Sequence, residues 1–145
     1  MSRLIALLII SLSAISEGSF YGPLLTKETD SGLVPSHLWT AIRCEIYPDK
    51  LRETITAGAV TVTREASLKI TTAGLSKAID TAALGPITEE PAPTDGPANI
   101  YFATQVLPDD RTKQVDLGSY VSGLFTKNGS KVALTLKNLL NLHCK

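Results

Sequence analysis

Between residues 38 and 47 apolar and polar side chains alternate. Leu38, Ile42, Cys44 and Ile46 share one phase, and Trp39, Arg43, Glu45 and Tyr47 share the other. Period 2 with aromatic and β-branched residues predicts a half-buried strand with Cys44 on its inward side. Pro48-Asp49-Lys50 follows as a turn, because Pro fixes φ and Asp bonds its own backbone. Residues 51–57 and 59–70 are rich in Thr, Val and Ile around Gly58, a hairpin pattern with Ala57-Gly58 at the turn. The period then changes. Leu75, Ile79, Ala82 and Ala83 line one face of a helix over 73–84, capped by Thr71 or Thr72 and ended by Gly85-Pro86. Residues 99–107 return to a strand pattern, and Pro108-Asp109-Asp110-Arg111 turns the chain. Residues 112–117 can pair back as a further strand, while 118–125 fit a helical turn or a strand equally well. Asn128-Gly129 is a turn signal. Ser130 then caps a last helix, whose stripe is Val132, Leu136, Leu139 and Leu140.

Two stretches lack a period. Residues 17–37 contain Gly18, Gly22, Pro23, Gly32 and Pro35 and read as an irregular N-terminal arm. Residues 85–98 hold four prolines and two glycines, which exclude a helix or an interior strand. That insert exposes Glu89, Glu90 and Asp95. The order of strands, helix, strands, helix predicts one α+β domain over 38–145. Its sheet is mostly antiparallel with about four to five strands, and two helices pack on one face. Connections are too short for repeated βαβ crossovers.

The first residues change the expected compartment. Arg3 precedes twelve residues, Leu4 to Ile15, interrupted only by Ser11 and Ser13, and small and polar residues follow. This is the order of a secretory signal peptide over 1–16, cut before Glu17. The run is shorter than the roughly 20 residues that span a bilayer, and no later stretch is apolar enough. A secreted or periplasmic chain with no stable membrane span after signal removal is therefore expected. In such a compartment the two cysteines, Cys44 and Cys144, predict one disulfide. It would tie the 38–47 strand to the end of the last helix.

Composition narrows the chemistry. Hydrophobic residues make up 43% of 145, enough for one buried core. Fourteen basic residues balance fourteen acidic ones, and removal of Arg3 with the signal leaves thirteen against fourteen. A neutral chain has no electrostatic handle for nucleic acid. No Gly-x-Ser-x-Gly elbow occurs, so no catalytic residues are assigned. Gly123, Gly129, Ser130 and Lys131 do not have phosphate-loop spacing. His37 and His143 lie at segment ends and read as exposed imidazoles; with Cys144 they do not complete a metal shell. Asp109 with Asp110, like Glu89, Glu90 and Asp95, reads as solvated loop charge. No cofactor is implied. Asn128-Gly129-Ser130 is a glycosylation sequon if the chain passes through a eukaryotic secretory pathway.

These features point to a small exported, non-catalytic binding module whose partner is another extracellular protein. Trp39 and Tyr47, joined by Tyr101, would form an aromatic patch on the open sheet face. The acidic, proline-stiffened segment carrying Glu89, Glu90 and Asp95 would recognise the partner. The alternatives are a proteinase inhibitor presenting the loop 86–97, or an enzyme of unknown class.

Overall fold

The computed structural model describes residues 20–145, so the expected signal peptide lies outside the described residues. The chain order is β1 (Leu25–Asp30), β2 (Thr40–Ile46), β3 (Lys50–Ala57), β4 (Val60–Ser67), α1 (Thr72–Ala83), β5 (Ile87–Pro91), β6 (Asn99–Val106), β7 (Thr112–Asp116), β8 (Tyr120–Val121), β9 (Leu124–Asn128) and α2 (Lys131–His143). All nine strands join one sheet in the order β4-β3-β2-β1-β6-β8-β9-β5, with β7 also paired to β6. Every pairing is antiparallel. The α+β class, the two helices and the disulfide match the sequence reading; the sheet is larger than the four to five strands expected.

The extra strands have identifiable origins. β1 lies inside the stretch 17–37 read as an irregular arm, yet it is central, paired to β2 on one side and β6 on the other. Ladder hydrogen bonds from both neighbours hold a segment whose side chains carry no apolar alternation. β5 lies inside the Pro-rich stretch. It is the edge strand beside β9, where Pro91 at its end leaves no interior ladder bond missing. The ambiguous segment 118–125 resolves into the strand pair β8–β9.

One ladder carries a bulge. Phe102 faces Asp116, but Asn99 faces Tyr120, so Leu117, Gly118 and Ser119 oppose only Ile100 and Tyr101. Gly118 takes φ +102°, a conformation that disfavours any side chain. Leu117 still donates its N–H to the Tyr101 carbonyl at 2.9 Å, and the Ser119 hydroxyl accepts from the Tyr101 N–H at 3.0 Å.

Both helices cover the sheet face that carries Leu25, Cys44, Ile46, Ala103 and Val115. Leu75, Ile79 and Ala82 of α1 and Ala133, Leu136 and Leu140 of α2 close the core. The buried stripe of α2 is rotated from the one expected, since Val132 and Leu139 are only partly buried. Ser130 caps α2 as expected, its hydroxyl accepting from the Val132 N–H at 3.2 Å. Cys144 follows α2 directly and is bonded to Cys44 on β2.

Candidate functional site

The face of the sheet away from the helices carries the other phase of β1, β2 and β3. Across four strands it holds a connected ionic row. Arg43 bridges Glu28 and Glu45, the Tyr47 hydroxyl donates to Glu45 at 3.2 Å, Arg52 donates to Tyr47 at 3.2 Å, and both Arg52 and Lys50 reach Glu65. Lys50 and Arg52 also lie over the Tyr47 ring. Tyr47 is therefore buried inside a charged network and is not part of an open aromatic patch. Burial, then the Glu45 carboxylate, raises the Tyr47 phenol above its ordinary value of 10. In the unfolded chain it ionises near that value, so its contribution to stability is full below pH 10 and is lost as pH rises through the folded value. Alkaline titration followed by tyrosinate absorbance should show an ionisation above 10 that Tyr47→Phe removes.

Trp39 sits at the end of this face, just before β2. It lines a shallow groove of about 240 Å³ with Ala41, Arg43, Glu28, Asp30, Ala98 and Ile100. The loop leading into it, residues 31–39, exposes Leu33, Val34 and Leu38 as well as Trp39. Its conformation is closed by paired contacts. The Ser31 N–H donates to the Thr40 carbonyl at 2.9 Å, and the Thr40 N–H donates to the Ser31 hydroxyl at 2.9 Å. Asp30 accepts from the Gly32 N–H at 2.7 Å and from the Ala98 N–H at 3.3 Å, which brings the 92–98 turn alongside. A Cβ on Gly32 would meet the Gly96 carbonyl oxygen at 2.8 Å.

The Pro-rich stretch is anchored throughout. Glu89 and Glu90 stand exposed on β5, with Glu90 paired to Lys127 at 2.9 Å. Asp95 stands exposed in the turn beyond. That turn is held by the Tyr120 hydroxyl on the Pro93 carbonyl at 2.6 Å and by Ser122 on the Thr94 carbonyl. Trp39 and the 92–98 turn thus meet at one end of the sheet, whereas Glu89 and Glu90 run along its β5 edge.

Tyr101 does not join Trp39. Its position in β6 shares the phase of Ala103, so the ring is buried on the helix side, with Lys137 above it at 4.5 Å and its hydroxyl on Asn141 at 3.0 Å. The Lys137 ammonium donates to the Gly118 carbonyl at 2.7 Å. Burial lowers its pKa below the usual lysine value, and the Asp116 charge opposes that shift. Asp116 organises the bulge: its carboxylate accepts from the Gly118 N–H at 2.6 Å, the Ser119 hydroxyl at 3.1 Å and the Thr126 hydroxyl at 2.8 Å. Neither Asp116 nor Lys137 was singled out in the sequence. The available signal was Lys137 at helical spacing from Ala133 and Leu140, a cation on an otherwise apolar stripe.

Asn128 is committed within the fold. Its amide nitrogen donates to the Ala82 and Asp116 carbonyls, and its oxygen accepts from the Ser130 N–H. A glycan on that nitrogen would replace one of its two hydrogens, so at least one of these donations would be lost. His37 and His143 are exposed. Among the described residues no group of three or more His, Cys, Asp or Glu is placed to hold a metal ion. Also among them, no helix is long and apolar enough to cross a membrane. The Cys44–Cys144 bridge is consistent with an extracellular location. Comparison of the chain with protein-family models, with curated proteins and with solved structures finds no match.

Proposed function

We propose that the chain is an exported binding module that recognises another extracellular protein through the Trp39 end of its sheet. The observation that carries this reading is the ordered 31–39 loop, which exposes Leu33, Val34, Leu38 and Trp39 together beside a groove. Four exposed apolar side chains within one short, well-held loop support a contact surface there. The Ser31–Thr40 and Asp30–Ala98 contacts hold the loop before binding, so little ordering entropy is lost on association. Asp95 stands exposed on the 92–98 turn that packs against Asp30 and Gly32, and it supplies a polar edge there. The inhibitor reading finds less support, because residues 87–91 are engaged in a β-ladder and the turn after them is tied to β8 and Ser122.

A photo-crosslinking amino acid at position 38, in the extracellular fluid of the source cells, is expected to capture one defined protein. The same group at Leu142, an exposed leucine on α2, is expected to capture none. Adding Trp39→Ser should lower the yield at position 38 by about tenfold. Equal capture at both positions, or no capture at position 38, sinks the reading.

A further inference from the structure

A second concavity, of about 340 Å³, opens between the Gly118 bulge, β9 and the first turns of α2. Its walls carry Phe125 and Leu134, and three lysines line it: Lys127, Lys131 and Lys137. No carboxylate lines it. Asp116 lies behind the bulge with both oxygens taken by Gly118, Ser119 and Thr126. Lys127 is paired with Glu90 at 2.9 Å, and among the described residues Lys131 has no ion pair. Lys137 is held inward by the Gly118 carbonyl and the Tyr101 ring.

The helix adds a second, independent oddity. The first turn of α2 contains no acidic residue, and its first residue is Lys131. A helix gains stability from anions at its N-terminus and loses it from cations there. Here the chain places a cation at the positive end of the helix, and two more lysines line the same concavity. Glu90 and Asp116 partly balance Lys127 and Lys137, whereas Lys131 has no carboxylate partner among the described residues, so the concavity keeps an excess of positive charge.

We infer that this cleft binds a small organic anion, its acidic head among Lys127, Lys131 and Lys137 and its apolar body against Phe125 and Leu134. The apolar walls distinguish this ligand from a free inorganic anion, for which they offer nothing. The site is independent of the Trp39 surface and stands or falls without it.

The test titrates the intact, disulfide-bonded protein with octanoate while amide chemical shifts are followed by NMR. Saturable shifts are expected at Phe125, Thr126 and Lys131, with octanol of the same chain length binding at least about tenfold more weakly. Lys131→Gln should weaken octanoate about fivefold, and Lys127→Gln with Lys131→Gln by about tenfold or more. Both lysines are exposed, so these variants keep the fold where Lys137→Met could lose it. Trp39→Ser should leave the titration unchanged. Equal binding of octanoate and octanol, an unaltered affinity in Lys131→Gln, or inorganic phosphate matching octanoate at the same amides would each overturn the inference. Absence of saturation up to the solubility limit would overturn it as well.

Discussion

The double variant Cys44→Ala/Cys144→Ala is expected to unfold at a markedly lower urea concentration, with about 4 to 5 kcal/mol of stability lost. The bridge spans 100 residues of sequence. In the chain-entropy treatment, opening a loop of that size returns about 4.7 kcal/mol of freedom to the unfolded ensemble. Native contacts add to the loss. Both sulfurs are buried, and the carbonyl of Cys144 accepts from the Lys27 ammonium at 3.1 Å, so the end of α2 is seated on β1 as well as β2. The urea slope should also rise, because an unbridged unfolded chain exposes more surface. A change below about 1 kcal/mol with an unaltered slope would mean that the bridge does not constrain the unfolded chain as this account requires.

Asp116→Ala is expected to cost about 2 to 3 kcal/mol. One carboxylate satisfies the Gly118 N–H and two hydroxyls in a bulge where the ladder itself cannot. Removing it leaves the Gly118 N–H facing protein and the Ser119 and Thr126 hydroxyls with only the longer contacts to the Tyr101 and Ser119 carbonyls, at 3.4 and 3.3 Å, and each bond lost in this way costs about 1 kcal/mol or more. Thermal melting gives the total. Amide exchange gives the location, with faster exchange at Gly118 and Ser119 than at β3. Asp116→Asn, which keeps the shape and one acceptor oxygen, should fall between. Asp109→Ala serves as the contrast. That residue also caps a turn and meets Arg111, but both side chains are largely exposed, so its loss should stay within about 0.5 kcal/mol. Equal costs at the two sites would contradict the role given to Asp116.

The elements that could be read from residue order are those whose burial is decided by their own side chains. β2, α1, β6 and α2 each present one apolar face to the core; the first three lie within two residues of their expected spans, and α2 starts directly after its expected cap, Ser130. The cysteine pairing followed from the number of cysteines and the expected compartment, and the structure agrees with the phase read for Cys44, which shares the inward side of β2 with Ile46. β1 escaped because its polarity is answered by neighbours remote in sequence. Lys27 meets the Cys144 carbonyl and Glu28 meets Arg43; Thr26 is fully buried between β2 and β6, but its hydroxyl has no hydrogen-bond partner among the described residues. β5 escaped because a proline is tolerated at the outermost strand, a position that only the finished sheet defines.

The candidate sites divide along the same line. Trp39 was legible, since its phase in the β2 pattern places it away from Cys44 and Ile46. Tyr47 and Tyr101 were misplaced for opposite reasons. Tyr47 has the expected phase but is enclosed by Glu45 and Arg52, whereas Tyr101 has the phase of Ala103 and belongs under α2. The lysine cleft could not be read from order alone, because the Gly118 bulge, β9 and α2 become neighbours only when β7, β8 and β9 fold back on β6.

The sulfur link also decides how the molecule would answer mechanical tension. Pulled from beyond Cys144, the load would cross directly to β2, and residues 45–143 would form a closed ring that no stretching can pay out. Of the described residues, only those before Cys44 could be drawn into the extended thread. That thread includes β1, which is laced into the sheet on both flanks, so two ladders must rupture before it gives way. Reduction would turn a short, stiff tether into one that unravels along the whole chain.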